Sequence, residues 1–96
     1  MTYEWDPVKA GANAKKHRVT FEEAASVFLD PAALTFWDPD HSEGEDREIT
    51  IGRSARRRVL FVAHAAREGR VRIISARRAT RREQRQYEEP SVEATQ

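Results

Sequence analysis

The chain has 96 residues, enough for one domain around one modest core and too few for two. It has no cysteine, which excludes disulfides, thiol nucleophiles and thiolate metal sites. It also has no apolar run of membrane-spanning length and no basic-then-apolar leader, so a soluble cytoplasmic protein with no membrane association is expected. The formal net charge of +1 hides a division: residues 1–46 carry four basic against ten acidic side chains, whereas residues 47–85 carry thirteen arginines against three glutamates. Such a basic half attracts polyanions over about one Debye length, roughly 8 Å at physiological salt.

Thr2 to Trp5 reads as a short β segment. Asp6-Pro7 then has the form of an N-cap and first helical residue, because the carboxylate accepts orphan amides and proline has no amide to leave unpaired. A first helix is predicted from Pro7 to about His17, with Val8, Ala12 and the stem of Lys15 inward. Lys9, Asn13, Lys16 and His17 fall on another side. Arg18-Val19 is a turn. Thr20 and Glu23 form a capping box for a second helix, Phe21 to about Leu29, which buries Phe21, Ala24, Ala25, Val27 and Phe28. Asp30-Pro31 ends it.

Ala33 to Trp37 reads as a strand with Leu34 and Phe36 on one face. The segment from Asp38 to Asp46 is an acidic loop without EF-hand order, hence a solvated loop rather than a calcium site. Arg47 to Gly52 alternates Ile49 and Ile51 against Glu48 and Thr50, as a half-buried strand does. A basic connection leads to Val59–Ala65, the expected central strand, and a turn containing Gly69 leads to a strand over Val71–Ser75. Short links make these strands an antiparallel meander. Thr80 and Glu83 cap a third helix, whose one sizeable apolar residue is Tyr87, so it must dock on the sheet or on a partner. Residues 90–96 read as a disordered tail, leaving one domain over residues 1–89. The predicted order is β-α-α-β-β-β-β-α, an α+β fold with helices over one face of a small antiparallel sheet.

Arg72, Arg77, Arg78, Arg81, Arg82 and Arg85 crowd the end of the last strand and the third helix. Charged helix faces are usually just solvated, but this cluster spans a strand, a turn and a helix, and the guanidinium fork matches a phosphate. Arg78, Arg81, Arg82 and Arg85 share helical spacing if the helix begins early enough. A basic sheet of this kind suits RNA better than a duplex groove, since no helix-turn-helix, zinc finger or RNP-type aromatic strand is present. RNA can be cleaved without a metal or cofactor when its 2′-hydroxyl attacks the adjacent phosphate. The protein must then align the groups, accept a proton, hold the extra negative charge and protonate the leaving oxygen. Arginine fits the charge-holding task. His64 is either a core histidine or a proton donor; Glu45 and Glu48, flanking Arg47, are either ion-pair partners or a source of the base. Arg53, Arg81, Arg82, Arg85, Lys9 and Lys16 are expected to contact the RNA backbone. Two other classes remain open: a non-catalytic nucleic-acid-binding or operon-regulating module, and a protein-interaction domain.

Four separated stretches resemble the BrnT toxins: Glu4-Trp5-Asp6-Pro7-x-Lys9; Asn13-x-x-Lys16-His17-x-Val19-x-Phe21-Glu22-Glu23-Ala24; Glu45-Asp46-Arg47-x-Ile49-x-Ile51-Gly52; and Arg72-Ile73-Ile74-Ser75-Ala76-Arg77-Arg78-Ala79-Thr80 with Tyr87-Glu88. The resemblance covers the chain to about Glu89. It implies a RelE-like fold, a metal-independent endoribonuclease that stops translation, and neutralisation by a BrnA-like antitoxin. The implied assembly is a heterotetramer that meets operator DNA through the antitoxin. On the matching positions it implies phosphate binding and transition-state charge stabilisation by Arg72, Arg77 and Arg78, with Glu45 as base and Arg47 as its orienter. The family pattern has glycine after the Lys-His pair, where this chain has Arg18.

Overall fold

The structure, a computed structural model, describes residues 1–38, 40 and 46–89. Its elements are β1 (Tyr3–Glu4), α1 (Pro7–His17), α2 (Phe21–Ser26) continued by a 3₁₀ turn (Val27–Leu29), β2 (Leu34–Trp37), β3 (Arg47–Arg53), β4 (Val59–Arg67), β5 (Arg70–Arg78) and α3 (Arg81–Glu88). The five strands lie in the order β1-β5-β4-β3-β2. The antiparallel meander is present, but β1 runs parallel to β5, so the sheet is mixed. The expected tail, residues 90–96, and most of the acidic loop lie outside the described residues.

The caps act as their residue types require. Asp6 accepts from the amides of Val8 at 2.8 Å and Lys9 at 3.4 Å, with Pro7 behind it. Around α3 the Thr80–Glu83 box is complete in both directions. At α2 only half of the expected box forms. Thr20 accepts from the Glu23 amide at 3.0 Å, but the Glu23 carboxylate turns away to Ser54 and Arg58. The predicted second helix also tightens after Ser26, whose hydroxyl donates to the Glu23 carbonyl at 2.6 Å and accepts from Ala55 N–H.

One face of the sheet carries α1 and α2. Val19, Phe21, Ala24 and Val27 pack there on Leu60, Val62, Ile73 and Ala76. Burying a side chain such as Phe21 stabilises the fold by about 1.5–3 kcal/mol. Gly52 belongs to this contact: a Cβ there would stand 3.0 Å from that of Ala33 and 3.2 Å from that of Val27. The inward side of α1 differs from the expected one. Val8 is 80% exposed and Ala12 is exposed, while Ala10, Asn13, Ala14 and His17 face in. Asn13 decides this. β1 covers the outer edge of β5 only at Val71 and Arg72, leaving the Ala76 peptide without a strand on the side away from β4. The Asn13 amide donates to Ala76 O at 2.8 Å and to Val19 O at 3.0 Å, and accepts from Ala76 N–H at 3.1 Å.

The helices do not all lie on one face. Tyr87 of α3 packs against Ile49, Ile51 and Val59, on the side opposite α1 and α2, and its hydroxyl donates to Asp30 Oδ2 at 2.6 Å. The last strand is also longer than predicted. It continues through Arg78, so Arg78 belongs to β5 and does not extend the basic side of α3. Glu68 and Gly69, at φ 52° and 78°, make the two-residue hairpin turn between β4 and β5.

Candidate RNA-cleaving site

Strand register assembles the face that α1 and α2 leave uncovered. Pairing sets Phe36, Ile49, Ala63 and Ser75 in one row across four strands, and Leu34, Ile51, Phe61 and Arg77 in the next. On the other side of the first row lie Arg47, Ala65 and Arg72. Neighbouring strands are about 4.8 Å apart, so Arg47 and Arg72 flank Ala65 from the strands on either side of it, about 10 Å from each other at the backbone. Together with Trp37, Asp38, Asp40 and Ile74, much of this face forms a shallow hollow of about 670 Å³ that includes both Arg47 and Arg77.

A bulge in β5 makes this face possible. Arg72 and Arg77 are five residues apart and would point to opposite sides of a regular strand. Between them the register shifts: Ala63 pairs with Ser75 but His64 pairs with Ile73, so Ile74 is the extra residue. The inserted residue restores parity, and both arginines come to the uncovered face. Arg78, one residue beyond Arg77, pairs with Leu60 on the helix-bearing face. The three arginines expected to act together are therefore divided, with Arg78 turned away from the other two.

Arg77 is held on several sides. Its guanidinium carbon lies 4.0 Å from the centre of the Phe61 ring. Nη1 donates to Glu83 Oε1 at 2.8 Å and to the Arg78 carbonyl at 3.2 Å, and Nη2 donates to Glu83 Oε2 at 2.9 Å. Burial alone would raise the Glu83 carboxyl, but the bonds from Arg77 and Thr80 outweigh it and hold Glu83 below the usual carboxylate range. Among the described residues these bonds leave Nε–H and the second Nη2 hydrogen, which lie along one edge of the planar group. That edge is a ready fork for two phosphate oxygens.

Arg72 shares the face but is tied to Glu4, with Nη1 3.2 Å from Oε2; Arg70 lies 3.4 Å from the other carboxylate oxygen. His64 is not at the hollow. It is 4% exposed beneath α2, accepts or donates a 2.7 Å bond with the Thr50 hydroxyl, and meets the Phe28 ring edge-on at 4.8 Å. Burial pushes its pKa down to about 4, so at neutral pH it is an uncharged core imidazole on the face opposite the hollow. Of its two expected roles, the structure places it in the core. Glu45 lies outside the described residues, as does His41.

The expected backbone-binding residues do not converge on the hollow. Arg53 is exposed with its guanidinium carbon 6.0 Å from the Tyr87 ring centre, and Arg81, Arg82 and Arg85 are exposed on α3. Lys9 and Lys16 are exposed on α1, across the sheet from the hollow. The residues that sequence reasoning missed are Phe36, Trp37, Asp38 and Asp40 at the β2 end. Phe36 had a visible signal, since its alternation with Leu34 and the pairing partner Ile49 mark one face. The part of Asp38 and Asp40 depends on the path of the chain after β2, for which no local pattern exists. Among the described residues no group of three or more His, Asp or Glu side chains is placed to hold a metal. Among the same residues no helix is long and apolar enough to cross a membrane.

Comparison with known proteins gives this geometry a family. The profile described as "Ribonuclease toxin, BrnT, of type II toxin-antitoxin system" matches residues 5–83. The chain belongs to the BrnT ribonuclease toxin family. No curated protein sequence matches it. Among solved structures, the Brucella abortus ribonuclease toxin BrnT, determined at 1.1 Å, aligns with a TM-score of 0.65 at 20% identity, covering 84% of this chain and 100% of the Brucella chain. At that identity the likeness establishes the shared fold. As a BrnT-family toxin of a type II system, the chain has a cognate antitoxin implied by its class. The matched span runs from Trp5 in the first motif through Glu83, the residue that holds Arg77.

Proposed function

We propose that the uncovered face binds single-stranded RNA and cleaves it without a metal, by attack of a 2′-hydroxyl on the adjacent phosphate. Translation stops as messages are cut in the cytoplasm. The observation that carries this reading is Arg77, fixed over Phe61 by Glu83 with one edge outside those bonds, in the lining of the same hollow as Arg47. In this reading Arg77 and Arg47 bind the scissile phosphate and stabilise the negative charge that builds on it. Arg72, paired with Glu4, adds positive potential at the end of the same face. Glu45, two residues before Arg47, is the proposed proton acceptor, as the matching motif implies. A BrnA-like antitoxin neutralises the toxin by covering this face, and a heterotetramer of the two proteins binds operator DNA through the antitoxin.

The test is incubation of the purified chain with a defined single-stranded RNA in the presence of a chelator. Fragments ending in 2′,3′-cyclic phosphate are expected. Arg77→Ala is expected to slow their formation by at least about 100-fold, the usual loss on removing one charge-stabilising donor. Intact RNA with wild-type protein would overturn the reading. Tight, salt-sensitive binding without cleavage would select a nucleic-acid-binding module in its place.

A further inference from the structure

Two side chains hold α3 to the rest of the protein. Arg81, Arg82, Gln84, Arg85, Gln86 and Glu88 are exposed, whereas Glu83 is half-buried and Tyr87 is buried. Spaced by four, Glu83 and Tyr87 share one side of the helix. A helix of this length is not stable alone, so its place depends on those two contacts. Glu83 braces Arg77. Tyr87 is anchored at a point distant in sequence: its hydroxyl donates to Asp30 Oδ2 at 2.6 Å, and the same carboxylate accepts from the amides of Arg53 at 2.8 Å and Ala32 at 2.9 Å. Burial alone would raise the Asp30 carboxyl, but the bonds from Tyr87, Arg53 and Ala32 outweigh it and hold it below the usual range. Burial and the bond to Asp30 push the Tyr87 hydroxyl up, so at neutral pH it stays protonated and committed to that bond. A hydrogen bond to a carboxylate is roughly twice as strong as one between neutral groups.

We infer that Tyr87, through its bond to Asp30, is a positioning residue for Arg77. It fixes the far end of α3, the fixed helix holds Glu83, and Glu83 sets the plane of the guanidinium. The inference rests on the ribonuclease reading and gives a part in it to a helix that lends no side chain to the lining of the hollow. The chain leaves the sheet at Ala79, whose N–H donates to the Val59 carbonyl at 2.9 Å. Beyond that point α3 is free to pivot unless its last turn is tied down, and Tyr87 is the tie. A pivot moves Glu83, and with it the two-bond grip on Arg77. Misplacing a reacting group by about 1 Å can cost roughly 100-fold in rate. Phe61, on which Arg77 lies, packs against the same cluster as Tyr87, so the platform and the brace are set by one patch.

Tyr87→Phe keeps the ring among Ile49, Ile51 and Val59 and removes the hydroxyl alone. Glu83→Gln keeps an oxygen for the Thr80 amide and loses the charge that grips Arg77. Both single variants and the double variant are assayed on a defined single-stranded RNA, well below their melting temperatures. Each single variant is expected to lower kcat about tenfold with KM changed by less than about threefold, a split that lost stability alone does not produce. The double variant is expected to be no slower than the slower single one, because both breaks lie on one route to Arg77. Full-rate cleavage by either single variant, even with a lowered melting temperature, would overturn the inference while leaving the ribonuclease reading intact. Losses that multiply in the double variant would also overturn it, since Tyr87 would then act by a route of its own. Faster cleavage by Glu83→Gln would overturn it by showing that the carboxylate restrains Arg77. Failure of wild-type protein to cut RNA would remove the ribonuclease reading and this inference together.

Discussion

The two faces of the sheet are built from alternate residues of the same strands, yet they treat polar groups in opposite ways. On the helix-bearing face the buried polar groups Glu23, Thr50, His64 and Asn13 are enclosed and answered. Glu23, 6% exposed, receives Arg58 through both carboxylate oxygens and the Ser54 hydroxyl at 2.7 Å. Thr35, Thr50 and His64 form a chain of bonds of 2.8 and 2.7 Å, and Asn13 closes the Ala76 peptide. On the uncovered face Arg77 is braced on one side and Phe36 stays 42% exposed. The contrast teaches that in this small protein the enclosed polar network and the open hollow are divided by strand parity. A side chain one position along a strand passes from one task to the other.

Breaking the enclosed face should cost stability first. Glu23→Ala takes the carboxylate from Ser54 and from Arg58, which keeps only the Arg18 carbonyl, and breaking such a largely buried pair costs about 3 kcal/mol. Thermal unfolding should move down by roughly 10 °C or more for a chain of this size. A shift within a degree or two would mean that the network is not holding α2 to the β3–β4 connection.

The next effect depends on pH. The folded state holds the His64 pKa at about 4 against an ordinary 6.5, so the unfolded chain binds the extra proton first. The stability tied to the neutral imidazole is complete above pH 6.5 and is lost as pH falls toward 4. By pH 5 the loss is about 2 kcal/mol. Glu23, Asp30 and Glu83, whose carboxyls lie below their usual range because their hydrogen bonds outweigh burial, weaken the fold only at still lower pH. Urea midpoints measured between pH 7 and 5 should therefore fall for wild type and stay nearly level for His64→Phe. A parallel fall in both would contradict the buried, neutral assignment.

A smaller effect runs the other way. Arg18 ends α1 at φ 60° and ψ 32°, a left-handed position where a Cβ is strained. Its carbonyl, which accepts from Arg58 at 3.0 Å, is kept by any residue. Arg18→Gly should therefore stabilise the protein by about 0.5–1 kcal/mol, part of the relief being returned as chain entropy. A lower melting temperature would show that the Arg18 side chain has a contact worth more than the strain.

Much of the fold was legible because it rests on local chemistry. Asp6-Pro7, Thr20 and Thr80 announce the three helices, and the alternation of Ile49 and Ile51 announces a strand. The resemblance spread over four motifs pointed to the family. What was not legible depends on partners distant in sequence. The parallel pairing of Tyr3–Glu4 with β5 has no local signature, so neither the mixed sheet nor the Glu4–Arg72 pair could be foreseen. The polar Asn13 looked like an outward residue because its acceptor, Ala76, is 63 positions away. Above all, the Ile74 bulge reverses the parity of β5, so a reading by alternation or by arginine count could not tell which of Arg72, Arg77 and Arg78 share a face.

That parity is the centre of the account, and one paired measurement tests it most directly. Cleavage rates of the same RNA by Arg77→Ala and Arg78→Ala are compared, with melting temperatures recorded for both. The account predicts that Arg77→Ala loses about 100-fold or more while Arg78→Ala stays within about threefold of wild type, both assayed well below their melting temperatures because Arg77→Ala also takes the bidentate partner from Glu83. Equal losses from the two substitutions, or a larger loss from Arg78→Ala, would contradict it.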